Sequence, residues 1–584
     1  MFLISITKNK VVDKIRSVNV NVNELDINTS IITIVTDNYL SRYLPNLNGF
    51  ALIESICMSA DTIDNSRILT EIKYIKDADR LQIVKPTISG RPIYYHINRQ
   101  GEFYCSTSIA MLRKVGVVIE ENRDVLPEYF VYRFIMPPRT LYKNINQLLS
   151  GSSINVKLTN NHCVIESVDN YNPFKEVKSN ALDNLNEINK DALNYLMESI
   201  GNLSPCKDKL LILLSGGLDS SILFKLCQQK YLINDTYSTG YPFEDKNNNI
   251  EKEYSISAAK AFKTNHTYYE VTNNDYLEGI IRAISVAEEP LHHLQSVMFY
   301  LMFRMGLPKH KNIVVSGQGA DGVFGLSIHN KLYNYNRKKT YYNLFSKYPI
   351  ITILQMLSGI TGKGQTLISS IVSDDIGPAI AIPISDPNHI IWSLGNYGSE
   401  EWVCNQFNVK NIDIIKNRYD YIKRYNEKSI YDILSILDFI GDVSISQSIW
   451  AKLGEDNRKI LYYPFNDSKL LDYIYSLSWD IKLRYPKYIL RSIAQTLKIP
   501  KFIIKRKKGS FGVMPQRWAK REGAFEPLVA IASKVIDKND ILSMQDIDYK
   551  KAMTFWNMLN YAIWKRLCIN NEPLSNLLDE LHCK

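Results

Sequence analysis

The residues best suited to chemistry lie in LILLSGGLDSS (211–221), where an apolar run enters a Ser-Gly-Gly turn followed by an acid and two serines. Gly216 and Gly217 let the backbone fold tightly and approach a ligand closely. Ser215, Ser220 and Ser221 supply hydroxyls, and a helix starting after the turn would offer its first N–H groups to an anion. The pattern predicts a phosphate site, although the spacing is not that of a Walker loop. A second stretch, NIVVSGQGADGVFG (312–325), repeats the design, with an apolar strand, a glycine-rich turn and one acid, Asp321. If both turns end strands of one sheet, Asp219 and Asp321 face each other. Two carboxylates beside phosphate oxygens need a counter-charge, and Mg²⁺ with oxygen ligands fits.

The elements that must hold these turns follow from the pattern around them. From residue 207 strands alternate with helices (KLLILLS, SSILFKLCQQKY, INDTYSTGY, KEYSISAAKAFK), which predicts a parallel α/β sheet with ligands at the strand carboxyl ends. Residues 1–170 instead alternate short β-rich runs with turn residues, a sheet-dominated unit. The boundary is expected near 175, giving units 1–175 and 176–584. Beyond about 400, amphipathic helices dominate. The basic, aromatic stretch 329–348 lacks clear periodicity and is expected to be a loop-rich insertion or a surface helix.

Bulk properties exclude several classes. The 584 residues are 45% apolar and 22% charged, a globular composition too long for one ordinary core. A net charge of +10 is a mild excess without any arginine-rich block, which argues against a nucleic-acid partner. The eight cysteines form no C-x-x-C pair and no cysteine–histidine cluster, which argues against structural zinc and for a reduced, cytoplasmic compartment. The start MFLISITKNK lacks a long apolar signal region and no apolar run is long enough to span a bilayer, so no membrane association is expected.

With both turns in view, SGGLDSS and SGQGADGVFG resemble the pyrophosphate loop and second acidic motif of the asparagine synthetase family. SGRPIYY (89–95), EFYCSTSIAML (102–112) and PPRTLYKNINQL (137–148) are similar to its amino-terminal domain. EKEYSISAAKAFKTNH (251–266), AEEP (287–290), EDNRKILYYPFND (455–467), KYILRSIA (487–494) and KRKKGSFG (505–512) are similar to its synthetase motifs. The resemblance implies an α/β fold: an Ntn-hydrolase-like αββα domain, then an ATP-pyrophosphatase domain with a parallel sheet and a helical carboxyl-terminal part. It implies ATP and Mg²⁺, with a carboxylate attacking the α-phosphate to give an acyl-adenylate and pyrophosphate, and an amine then displacing AMP. It places Ser215, Gly216, Gly217, Asp219 and Ser220 on pyrophosphate, Ser316 and Gly317 on the AMP side, and Thr239 near adenine. Asp219 and Asp321 would hold the metal, and Lys508 would meet the reacting centre, its register against Lys507 left open by Ser510. Lys487 and Arg491, four apart on one helix face, could reach a phosphate or simply cover the surface.

The departures narrow the expectation. A glutamine-hydrolysing member needs a cysteine at position 2, where this chain has Phe2, and NLNGFALIE (46–54) lacks the acid expected after its glycine. Gln318 and Gly322 stand where asparagine-forming enzymes carry acids. A neutral amide at 318 cannot accept a proton from an ammonium, so His266, His292, His293, Glu288, Glu289 and Glu455 become candidate bases, with His292 and His293 also expected to line an acyl pocket. The expected function is an ATP-dependent, AMP-forming carbon–nitrogen ligase without glutamine hydrolysis, most specifically one closing a macrolactam in a ribosomal precursor peptide, as lasso-peptide cyclases do, with a possible partner protease. Asparagine synthetase, another small-molecule amide or β-lactam synthetase, a tRNA-modifying pyrophosphate-loop ATPase and a silent scaffold are the alternatives.

Overall fold

A computed structural model describes the chain apart from residues 9, 12–14, 16–19, 28–29, 38–40, 57–66, 160–161, 173–183, 242–249, 346–396, 424–427, 507–514 and 583–584. Its first part is built from period-two strands. β1 (Phe2–Thr7), β2 (Asn21–Ile27), β3 (Ser30–Thr36), β4 (Ser41–Asn46), β5 (Gly49–Ser55), β6 (Ile68–Ile75), β7 (Arg80–Lys85), β8 (Tyr94–Ile97), β9 (Phe103–Ser106), β10 (Asn146–Gln147), β11 (Ser152–Leu158) and β12 (Cys163–Asp169) form two antiparallel six-stranded sheets. Their orders are β10-β8-β9-β1-β3-β2 and β12-β11-β7-β6-β5-β4. Alternate residues Phe2, Ile4 and Ile6 of β1 and Ile32 and Ile34 of β3 point at Phe50, Leu52, Ile72 and Ile83 of the second sheet, making a dry core between them. Leu3, Val35 and Tyr104 face the other way, toward α1 (Ile109–Lys114) and α2 (Leu126–Tyr132). The expected boundary at 175 falls outside the described residues.

After α3 (Leu185–Gly201) the pattern changes to β13 (Leu210–Leu213), α4 (Leu218–Tyr231), β14 (Asp235–Gly240), α5 (Ile250–Phe262), β15 (Asn265–Glu270), α6 (Asn273–Ala287), α7 (Gln295–Leu301), β16 (Ile313–Val315), α8 (Ala320–Phe324) and α9 (Ser327–Phe345). Later come α10 (Ile430–Glu455), β17 (Ile460–Tyr462), α11 (Tyr488–Thr496) and α12 (Tyr549–Trp564). The strands make one parallel sheet, ordered β15-β14-β13-β16-β17. Leu210, Ile212, Ile313 and Val315 face a core with α3 and α4, whereas Leu211 and Val314 face one with α6, α7 and α12. Burial on both faces explains the unbroken apolar strands. The chain winds outward from β13 through β14 to β15, then returns to the other side of β13 with β16, so β13 and β16 flank the point where strand order reverses. α10 is long and apolar enough to cross a bilayer, but 89% of its apolar window is buried inside the protein, as a core helix would be.

The two parts are joined by polar groups with little access to water. Glu288 ends α6 at φ 56° and points its carboxylate at the start of α1, accepting the N–H groups of Ile109 (2.9 Å) and Ala110 (2.7 Å) and the Ser108 hydroxyl (2.9 Å). Lys452 of α10 pairs with the same carboxylate. Burial alone would raise Glu288, but Lys452 and the two N–H groups outweigh it and hold the acid below its usual range.

The stretch 329–348 is helical as far as Phe345, and 346–348 lie outside the described residues. Its anchor is His329, whose ring stacks on Trp479 at 4.6 Å. The Leu326 N–H donates to Nδ1 (2.9 Å) and Nε2 donates to the Tyr431 carbonyl (2.9 Å), so a second ring proton would face a donor. Burial accordingly holds His329 down to about 4. Since the unfolded chain takes up this proton near pH 6.5, stability is full above that value and falls as pH drops toward 4, by about 3 kcal/mol. Urea unfolding of the wild type between pH 7.5 and 4.5 should therefore lose more stability than that of His329→Gln, and equal losses would count against this assignment.

Candidate functional site

β13 and β16 end side by side, and their two glycine turns pack against each other. Gly216 sits at φ 69°, where a Cβ would lie 2.4 Å from the Tyr254 carbonyl oxygen, so only glycine fits. Gly217 begins α4, its N–H donating to Ser215 Oγ at 3.3 Å. Ser220 Oγ closes the loop at 3.0 Å from Ser215 Oγ and 3.2 Å from the Gly217 carbonyl. On the second turn, Gly319 at φ 98° begins α8, which carries Asp321. A Cβ on Gly317 would stand 3.3 Å from the Asp219 Cβ and from the Ser220 nitrogen, a measure of how closely the turns approach.

Between them opens a cavity of about 600 Å³ lined by Ser215, Gly217, Asp219, Ser220, Thr239, Ser316, Gly317 and Asp321. Every expected nucleotide or metal residue among the described ones lines it except Gly216, which shapes the loop beneath. Lys507 and Lys508 lie outside the described residues, although their neighbours Lys505 and Arg506 line the cavity. Thr239 is next to last in β14, its hydroxyl buried and without a partner among the described residues. Phe299, Met302 and Trp450 supply an apolar wall, the Trp450 indole held by Ser296 Oγ at 2.9 Å.

The decisive geometry is a third residue. Lys487 stands at φ 55° at the start of α11, with Nζ 2.8 and 2.6 Å from the Asp219 oxygens and 2.8 Å from Asp321. Burial would lower this ammonium, but the two carboxylates outweigh it and hold Lys487 above its usual value. A single cationic centre thus bridges both acids. The oxygen donors fit a hard divalent cation such as Mg²⁺. Farther out, Arg506 pairs with Glu251, stacks over Tyr254 at 4.0 Å and reaches the Ser215 carbonyl at 3.3 Å.

None of the six candidate bases lines this cavity. His266, on the edge strand β15, is held by Thr236 Oγ1 (2.9 Å) and Ser238 Oγ (2.8 Å) of the neighbouring β14. Glu288 and Glu289 belong to the joint with the sandwich, Glu289 accepting from the Tyr94 hydroxyl at 2.5 Å. Glu455 pairs with Arg91 at 3.1 Å. His292 and His293, expected to line an acyl pocket, do not line this cavity. The two rings stack at 4.2 Å ahead of α7, with His292 Nε2 2.8 Å from Asp442, and α7 runs from them toward the cavity, presenting Phe299 there instead.

Comparison with known proteins fits this arrangement. A family model described as asparagine synthase matches residues 203–370 and 461–557, and one described as a glutamine amidotransferase domain matches 72–167, together more than half of the chain. The chain belongs to the asparagine synthetase family. It is similar to a glutamine-hydrolysing asparagine synthetase 1 of Bacillus subtilis (strain 168), 21% identical over 449 residues, 74% of this chain and 65% of that protein. A putative glutamine-hydrolysing asparagine synthetase 2 of Methanocaldococcus jannaschii is 25% identical over 241 residues, 40% of this chain and 44% of the relative. A putative asparagine synthetase of Mycobacterium tuberculosis (strain ATCC 25618 / H37Rv) is 22% identical over 216 residues, 37% and 32%. The matched region thus spans less than two thirds of each of these relatives.

Within this asparagine synthetase-family fold the departures have structural settings. The Phe2 side chain is fully buried between the two sheets. A Cβ on Gly322 would lie 2.2 Å from Asp438 Oδ2, so the Asp438 carboxylate would have to turn aside to admit one, and this carboxylate from α10 abuts the place of the expected acid. Gln318 lines the cavity with Oε1 buried and unpartnered. Sequence reading missed Glu251, Arg506 and Asp438, and left Lys487 open. Glu251 and Arg506 carried a signal, since they lie in the EKEYS and KRKKGSFG motifs, whereas Asp438 carried none. Gly216→Ala would drive its Cβ into the Tyr254 backbone and strain the left-handed residue. The expected outcome is a melting temperature several degrees lower, with a stability loss of about 1–3 kcal/mol.

Proposed function

We propose that the chain is an ATP-dependent, AMP-forming carbon–nitrogen ligase that activates a carboxylate as an acyl-adenylate and takes no nitrogen from glutamine. The observation that carries this is the pair Asp219 and Asp321, set at the ends of adjacent parallel strands and bridged by one cation beside two glycine turns. On this reading the Ser215–Ser220 loop holds pyrophosphate through its N–H groups and hydroxyls. Ser316 and Gly317 line the AMP side, and Thr239 lies toward adenine. Asp219 and Asp321 would hold Mg²⁺, which would supply positive charge to the phosphate oxygens as negative charge builds there. Lys508 serves the reacting centre. Gln318 orients the incoming groups by hydrogen bonds and leaves proton removal to another group.

The absence of glutaminase activity is supported by Phe2, whose phenyl ring fills the space between the sheets and offers no nucleophile. Within the ligase class we favour closure of a macrolactam in a ribosomal precursor peptide, in the cytoplasm and alongside a processing protease. Support comes from α9, which starts beside Asn330 on the cavity wall and turns Lys331, Arg337 and Lys338 outward. The names of the relatives favour a second reading, an asparagine synthetase or other small-molecule amide ligase, for which aspartate is the acid to test.

ATP–pyrophosphate exchange over a panel of carboxylates, peptides and aspartate included, separates these readings. The expected result is exchange with one acid class, lowered about 100-fold or more in Asp219→Asn, and no glutamate release from glutamine. Undiminished exchange in Asp219→Asn would sink the metal assignment, and glutamate release would sink the claim of glutamine independence.

A further inference from the structure

We propose that the amino-terminal sandwich is a positioning device for the Asp321 turn, acting through Thr87 and the amide pair Asn466–Gln447. This rests on the reading of Asp219 and Asp321 as a metal–pyrophosphate site. The link starts in the turn between β7 and β8. Thr87, almost fully buried, donates its hydroxyl to the Asn466 carbonyl at 2.7 Å. Three residues on, a Cβ at Gly90 would lie 2.8 Å from the Tyr463 ring and 3.0 Å from the Gln447 carbonyl, so the two parts meet there backbone to side chain.

Asn466 and Gln447 are wholly buried, and Asn466 Nδ2 donates to Gln447 Oε1 at 2.9 Å. Their other face meets the functional turn. A Cβ on Gly319 would stand 2.2 Å from Asn466 Oδ1 and 3.7 Å from Gln447 Nε2. Gly319 is the left-handed residue that starts α8, two positions before Asp321, so the amide pair is the floor on which that turn rests. Asn466 Oδ1 and Gln447 Nε2 make no hydrogen bond of their own. The floor is therefore not fixed by bonds to the turn above it. It is fixed from below, where Thr87 holds the Asn466 backbone and neighbouring residues of α10 are tied to the sandwich.

Those ties are Gln147 Nε2 to Ser448 Oγ at 3.4 Å, Ser150 Oγ to Ser444 Oγ at 3.0 Å, and Arg91 to Glu455 at 3.1 Å. Among the described residues, no hydrogen bond or ion pair ties Asp219 to the sandwich, and its partner is Lys487. The sandwich thus sets one of the two carboxylates relative to the other, which gives a domain without glutaminase chemistry a part in the ligase site. Thr87, Asn466 and Gln447 are positioning residues, since none of them lines the cavity.

The test uses the full-length protein with Mn²⁺ and inorganic pyrophosphate as probes, and bound Mn²⁺ is read by electron paramagnetic resonance. Thr87→Val keeps the shape and removes the donor, whereas Thr87→Ser keeps the donor. The expected result is Mn²⁺–pyrophosphate binding weakened about fivefold or more by Thr87→Val and restored by Thr87→Ser. Asn466→Asp, which replaces the Nδ2 donor by an acceptor, should weaken binding likewise and covers the case in which the valine variant does not fold. Wild-type binding in Thr87→Val, or equal weakening in Thr87→Ser, overturns the proposal alone. No binding by the wild type, or undiminished binding in Asp219→Asn, overturns the metal–pyrophosphate reading and this proposal with it.

Discussion

Two ionised carboxylates cannot share a small volume without a cation between them, and much of the synthetase half follows from meeting that demand with Asp219 and Asp321. Two like charges so placed would each be forced toward the neutral form. The Lys487 ammonium removes the conflict at 2.6 to 2.8 Å from both acids. Such an arrangement needs two strand ends side by side, two turns tight enough to bring their first acids together, and a third element aimed at the gap. β13 and β16 at the reversal of strand order give the first, and Gly216 and Gly319 in left-handed backbone give the second. Lys487, itself left-handed at the start of α11, gives the third.

The joint between the halves follows a related rule, because charges removed from water must be paired and hydrogen-bonded. Glu288 meets it with two backbone N–H groups, the Ser108 hydroxyl and Lys452. Arg91, almost fully buried, lies between Glu54 at 3.3 Å and Glu455 at 3.1 Å. Breaking either set by removing one partner would leave an uncompensated charge in the joint, so these contacts fix how the halves sit more than they add to overall stability.

The parts legible in the sequence were those written locally. The apolar runs of β13 and β16, the glycine turns and their acids are each contained in a dozen residues, and the geometry places them together. Lys487 could not be read the same way, since it reaches Asp219 across 268 positions and its i,i+4 partner Arg491 turns to the carbonyls of Pro486 and Ile504 instead. Glu288 and Glu455 looked like chemistry because acids near a site usually are, yet each is consumed by a partner in the other half. The sequence leaves α9 open between a loop-rich insertion and a surface helix, because its aromatic and basic residues give no clean apolar stripe. Its anchoring comes from His329 against Trp479, a contact with a residue 150 positions away.

The charge inventory of the cavity explains why this site suits a polyanion. Asp219 and Asp321 are held by Lys487, and Glu251 is held by Arg506. Among the described residues Arg491 donates to backbone carbonyls and to no carboxylate, and Lys505 adds a second cation on the same wall. In a cleft walled on one side by Phe299, Met302 and Trp450, such charges are less screened than at an open surface and raise the local potential. Gln318 stands where the family resemblance leads one to expect an acid, and the neutral amide keeps that potential positive beside the Asp321 turn. Gln318 adds no negative charge to the wall beside Asp321. An uncharged side chain at 318 thus leaves the balance of this wall to Lys487, Arg491, Lys505 and Arg506 against Asp219, Glu251 and Asp321.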